Sequence, residues 1–202
     1  MTETKGIQED DDQELVALCR KGNTDAFEIL VRTYQKKMFN IAFRITGSME
    51  DASEVVQDAF FAAHKNLKNF EQKSRFSTWL YSITVNTAKN RLKQGLARKT
   101  HEPHSSDDPL YADSSAKRME PASDDPSALD LLLKKDRQKS VQECLNRLEQ
   151  DFREVIVLRD IQGFAYAEIA DMLSLAEGTV KSRLFRARDA IKDCLKKLLG
   201  DW

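Results

Sequence analysis

The chain has 202 residues, 41% of them hydrophobic and 32% charged, with 32 Lys and Arg against 33 Asp and Glu and a formal net charge of −1. That length suits one ordinary domain or two small ones, and the near-neutral balance excludes a uniformly basic polyanion binder. No apolar run approaches the roughly 20 residues that cross a bilayer, and the polar N-terminus is no signal peptide, so a cytoplasmic protein is expected.

Residues 1–12 are acidic and are expected to be disordered. A short helix is predicted from Glu14 to Lys21, ended by Gly22. Thr24 is the expected N-cap of a long helix carrying Phe27, Leu30, Val31, Tyr34, Met38, Ile41, Ala42 and Ile45 at helical spacing, with Gly47 as its stop. Ser48-Met49-Glu50-Asp51 resembles a capping box with a shortened acid. The helix after it places Ala52, Val55, Val56, Ala59, Phe60, Ala63 and Leu67 on one face. Phe70 to Ser77 is polar and reads as a loop. A third long helix follows from about Thr78 to Lys93, with Gly95 marking its end. Trp79 suits its core better than a surface role, beside Leu80 and Ile83.

Residues 95–126 change character: they hold Pro103, Pro109, Pro121 and Pro126, much Ser and Asp, and no helical period. Such a segment cannot bury enough apolar area to offset the entropy of ordering it, so a flexible linker is expected. Ser127 then caps a helix through Leu148; others are predicted over Phe152–Ile161, Ala165–Leu173 and from Gly178 towards Leu199. No strand pattern appears. The expected fold is all-α: a helical domain over 13–94, the linker, and a helical domain over 127–202.

The charge is segregated. From 71 to 99 the chain carries Lys73, Arg75, Lys89, Arg91, Lys93, Arg98 and Lys99 against Glu71 alone. From 177 to 192 it carries Lys181, Arg183, Arg186, Arg188 and Lys192 against Glu177 and Asp189. Local sign decides where a polyanion docks. The segment Tyr166 to Leu184 reads as a helix-turn-helix: Ala170 is small where two helices meet, and Ile169, Leu173, Val180 and Leu184 supply a core. Its second helix can present Lys181, Ser182, Arg183 and Arg186 to a major groove, its positive N-terminus near phosphates. Ser174 stands at a turn position often taken by Gly.

Three ordered motifs carry a family resemblance. Glu50 to Phe60 resembles the segment by which extracytoplasmic-function (ECF) sigma factors dock on the polymerase clamp helices, Phe76 to Asn90 resembles their −10 reader, and Gly178 to Arg183 resembles their −35 reader. The likeness is to the sigma-E group and covers roughly residues 14–94 and 127–195. It implies that Asp51, Glu54, Gln57 and Asp58 bind core RNA polymerase; an acidic and amide face of this kind forms charge-assisted hydrogen bonds to a basic helix. It also implies a pocket for a flipped −10 base from Phe70, Ser74 and Asn86, with Lys89, Arg91 and Lys93 near phosphates. Relatives often have Gly where this chain has Gln72. At the −35 element it implies Arg159, Tyr166 and Thr179 on the DNA backbone, with Lys181, Ser182, Arg183, Phe185 and Arg186 facing the groove. Phe185 is open between groove and core, and the acidic linker between nucleic-acid mimic and spacer. The implied partners are polymerase core, through clamp and flap, promoter DNA, and an anti-sigma factor.

Two other classes are weaker. A DNA-binding regulator that ignores polymerase would need a ligand or phosphoacceptor domain, and the N-terminal half shows none. An enzyme would need a nucleophile, metal or phosphate motif; His64, His101 and His104 have no partner at such spacing. No cofactor or metal is expected. Cys19, Cys144 and Cys194 lie far apart and read as buried or idle thiols of a reducing compartment.

Overall fold

The computed structural model describes residues 3–71, 74–101 and 128–200. In that span the chain forms eight α-helices: α1 (Glu3–Arg20), α2 (Thr24–Thr46), α3 (Met49–Asn66), α4 (Phe76–His101), α5 (Ala128–Arg147), α6 (Gln150–Ile156), α7 (Tyr166–Leu173) and α8 (Glu177–Leu199). A single 3-10 turn, Leu67–Asn69, follows α3, and a π turn, Val157–Ile161, continues α6. No strand occurs among the described residues, as the all-α reading required.

The local signals act largely where expected, with four differences. The expected disorder of the acidic tail 1–12 does not hold where the structure describes it: α1 starts at Glu3, and Asp12 within it is buried and accepts a hydrogen bond from the Tyr34 hydroxyl. Burial and that carboxylate together push the Tyr34 phenol well above its ordinary range. The N-cap of α2 is Asn23 rather than Thr24; its Oδ1 accepts from the Asp25 and Ala26 amides at 2.9 and 3.1 Å. Asn23→Ala is therefore expected to lower stability by about 1 kcal/mol, read as a shifted urea midpoint at constant slope. Ser48 does cap α3, accepting from the Asp51 amide at 3.2 Å, but the Asp51 carboxylate bonds Arg91 instead of closing a capping box. Finally, α4 runs through the exposed Gly95 to His101. Glycine in a solvated helix interior costs only about 1 kcal/mol, which flanking helical residues absorb. The linker expectation for 102–126 and the Ser127 cap lie outside the described residues.

Two sets of helices bury two apolar faces. In the first, α2, α3 and α4 close over Leu30, Met38, Ile41, Ile45, Val55, Leu80 and Val85. In the second, α5 to α8 close over Leu145, Val155, Leu158, Ile169, Val180 and Leu184. The sets also meet each other. The buried Arg153 donates from Nη1 to the Ile45 carbonyl at 2.7 Å and from Nη2 to the Asn146 and Leu148 carbonyls at 2.7 and 3.0 Å. Arg44 reaches Gln142 at 3.1 Å, and the Tyr81 and Phe164 rings lie 5.2 Å apart. Gly47 ends α2 at φ +77, and a Cβ there would sit 2.6 Å from the Asn146 Oδ1. The left-handed backbone favours glycine at that point, whereas the exposed Asn146 side chain can swing aside.

Candidate polymerase and promoter interface

The face of α3 expected to grip polymerase presents Gln57 and Asp58 to solvent, with Asp51 and Glu54 half-buried. The spacing 51, 54, 57, 58 returns one helical face. Arg91 of α4 closes one end of it: Nε meets Asp51 Oδ1 at 2.7 Å and Nη2 meets Glu54 Oε2 at 2.6 Å. The Asp51 hydrogen bond, aided by the charge of Glu54, raises the Arg91 guanidinium above its ordinary value. Arg91 is thus a strut between two acidic residues, and the phosphate role suggested for it would require those pairs to break. Beside this face, Phe39 of α2 and Val56 of α3 line a shallow groove, with Gln35, Asn40 and Ser53 at its edges. Phe61, one further turn along α3, is 72% exposed. The sequence carries no signal for these apolar residues, because the helical period places Val56 in the core stripe of α3 and the facing groove wall lies on another helix.

The expected −10 pocket is partly rearranged. Phe70 is buried, stacked on Trp79 at 4.7 Å and edge-on to Phe76 at 6.0 Å. Its ring supports the loop from behind instead of facing an open pocket, and Trp79 packs against the core as expected. Arg20 pins the same loop, donating to the Phe70 carbonyl and, at 3.3 Å, to that of Leu67. Nothing local in sequence signals this, because Arg20 lies 50 residues before Phe70. Ser74, Asn86 and Lys93 are exposed. Gln72 and Lys73 lie outside the described residues. Lys89 reaches across to the other set of helices and pairs with Glu154 at 3.4 Å. Glu154 is 1% exposed and also accepts from Gln150 at 2.9 Å.

The helix-turn-helix is formed by α7 and α8. Glu168 accepts from the Ala165 amide at 2.8 Å and starts α7. Ser174 takes the left-handed turn at φ +54, and the Leu175 amide closes it on the Ala170 carbonyl at 2.9 Å. Serine pays a modest steric penalty there that glycine would not, and the closing hydrogen bond holds it. Three expected DNA residues come together: the Arg159 guanidinium lies 4.7 Å and the Lys181 ammonium 5.6 Å from the centre of the Tyr166 ring. Cation–aromatic attraction holds these long side chains at the start of the recognition unit. Ser182 and Arg186 are exposed, and Thr179 is half-buried at the start of α8. Phe185 is 74% exposed, which resolves the alternatives in favour of the surface. Arg183 points back to α6, pairing with Asp151 at 2.6 Å. Arg188 pairs with Asp160 through both Nε and Nη2, at 2.9 and 2.7 Å, and braces α8 against the π turn; in sequence it is legible only as local charge.

Comparison with known proteins agrees with this geometry. The family described as sigma-70 region 2 matches residues 30–98, and that described as sigma-70 region 4 matches residues 138–191. The chain is 35% identical over 201 residues to the RNA polymerase sigma-H factor of Pseudomonas aeruginosa, covering 96% of this chain and 99% of that one. It is 37% identical over 190 residues to the ECF RNA polymerase sigma-E factor of Escherichia coli K12, covering 93% and 96%. Among solved structures it resembles CnrH in complex with the cytosolic domain of CnrY, with TM-score 0.65, 26% identity and coverage of 93% and 98%. It also resembles the sigma factor RpoE in complex with the anti-sigma factor NepR from Bartonella quintana, with TM-score 0.62, 25% identity and coverage of 84% and 96%. Two matched regions in order, full-length relatives, and an exposed cationic helix-turn-helix beside an acidic helical face lead to one assignment: the chain belongs to the ECF sigma factors of the sigma-70 family.

Proposed function

We propose that this chain recruits core RNA polymerase through α3 and reads promoter DNA at two places, the −10 element through α4 and its preceding loop and the −35 element through α7 and α8. The cluster of Arg159, Tyr166 and Lys181 beside exposed Ser182, Phe185 and Arg186 carries the reading. It pre-arranges cations and an aromatic edge on a helix that fits a major groove. Asp51, Glu54, Gln57 and Asp58 offer carboxylates and an amide to a basic partner helix, and the Phe39–Val56 groove and Phe61 add the apolar part such an interface needs. Domains over 13–94 and 127–202 on one chain let both readers act from one enzyme, so each weak contact gains from high effective concentration. Lys89 meets phosphate only after leaving Glu154.

The chain acts without covalent chemistry of its own, in the cytoplasm where polymerase works. One of the solved structures it resembles is a sigma factor in complex with the anti-sigma factor NepR, which supports control of this chain by an anti-sigma factor. Run-off transcription with purified core polymerase and a promoter library tests the whole reading. Sequence-specific transcripts that need both elements are expected. Duplex binding with no transcription would favour a regulator that never engages polymerase. Within that assay, Asn86→Ala is expected to reduce −10 discrimination by about tenfold, on the scale of one lost base contact, while co-elution with core is unchanged; equal loss of both would remove Asn86 from the pocket.

A further inference from the structure

The two thiols expected to be idle are joined: Cys144 of α5 and Cys194 of α8 form a disulfide, their Cα atoms 5.7 Å apart and 50 residues apart in sequence. Cys144 is buried, whereas Cys194 is half-buried and reachable from solvent. The position of the bond on α8 matters. The buried residues of that helix, Val180, Leu184 and Ala187, all lie in its first half. Beyond them Ile191, Cys194 and Leu195 are only half-buried, and Leu198 and Leu199 are exposed. Few apolar contacts therefore hold the C-terminal half of α8, and the bond to α5 supplies a covalent one. This half also forms a wall of a surface groove, with Ile191 and Leu195 facing Ile156 of α6 and Lys192 and Lys196 at the rim.

We propose that Cys144 and Cys194 are a reversible thiol–disulfide modification site whose oxidised state clamps the C-terminal half of α8 and the groove beside it. In a reducing compartment a bond of this kind cycles instead of persisting as structure. The oxidant class is a hydroperoxide. The Cys194 thiolate attacks a peroxide oxygen, the O–O bond breaks, and the leaving hydroxide takes a proton to become water, leaving a sulfenic acid. The Cys144 sulfur then attacks the Cys194 sulfur; the S–S bond forms, the S–O bond breaks, and hydroxide leaves with the Cys144 proton as a second water. Two electrons pass from the thiols to the peroxide. A dithiol reductant returns both thiols by exchange. Cys19 is a built-in control, because it is unpaired and burial raises its thiol above the ordinary value, which keeps it protonated and slow.

The chemistry is testable on the isolated full chain, so its failure would leave the promoter reading untouched. Fully reduced protein is treated with stoichiometric hydrogen peroxide, quenched with an alkylating agent and mapped by non-reducing peptide mass spectrometry. One intramolecular Cys144–Cys194 linkage, reversed by dithiothreitol, with Cys19 still alkylated, is the expected result. Hydrogen exchange of residues 190–199 is expected to slow about tenfold or more on oxidation, as a fraying end becomes tied. A linkage through Cys19, a linkage between chains, or equal exchange in the two states would overturn the proposal. Cys194→Ser serves as the second variant: its exchange pattern should ignore peroxide, and a persistent peroxide effect at 190–199 would assign the response elsewhere.

Discussion

Leu184→Ala is expected to abolish transcription that depends on the −35 element while leaving capture of core polymerase intact. Leu184 is fully buried in α8, in the same core as Ile169 of α7 and Val180 of its own helix. Truncating such a leucine removes transfer free energy and leaves a cavity, at a cost of about 2–5 kcal/mol. A small helical domain holds only a comparable reserve, so the helix-turn-helix opens and the Arg159, Tyr166 and Lys181 cluster is lost. The acidic face on α3 rests on the part of the core between α2, α3 and α4, around Leu30, Met38, Ile41, Val55 and Leu80, whereas Leu184 belongs to the part between α5 and α8. Chemical denaturation followed by a pull-down on polymerase core separates the two effects. A stability loss under about 1 kcal/mol would mean that α7 and α8 collapse onto the gap.

Arg153→Lys is the second large effect, although it conserves charge. The guanidinium serves three carbonyls at once, Ile45 in the first helix set and Asn146 and Leu148 in the second, and it is 9% exposed. Burial holds it below its ordinary value, partly offset by the charge of Glu154. Lysine carries one compact ammonium on a flexible stem and cannot reproduce the planar fork. Hydrogen bonds to a charged group contribute about 1.5–3 kcal/mol each, and a buried carbonyl left alone adds its own desolvation cost. A loss of roughly 3 kcal/mol is expected from the urea midpoint. Because one of the three bonds crosses between helix sets, contact between them should weaken as well, seen as faster exchange of amides around Ile45 and Gly47. Unchanged exchange there would confine the role of Arg153 to the second set.

Much of the fold can be read along the chain because helices write their buried face at a period of 3.6 residues. The stripe from Leu30 to Ile45 on α2 and the pair Val180 and Leu184 on α8 are buried as that period requires. Caps depend on one side chain and the amides two or three residues on, so Ser48 is legible in sequence; Asn23 is not, because its neighbour Thr24 is an equally good capping residue. The turn at Ser174 followed from the spacing of two short helices, and its left-handed backbone confirms that a non-glycine residue is tolerated there.

What sequence alone determined is therefore the set of helices, the acidic face of α3 and the cationic helix-turn-helix, because each is a pattern within one helix or across one turn. What only the tertiary structure decided are the partners brought from far along the chain: Arg20 under the Phe70 loop, Arg91 between Asp51 and Glu54, Lys89 on Glu154, Arg153 on Ile45, and Cys144 on Cys194. The physical reason is that a charged or sulfur-bearing side chain has no periodic signature of its own. Its role is set by which helix packs against it, and that packing is driven by apolar faces whose sequence says that they are buried but not against what.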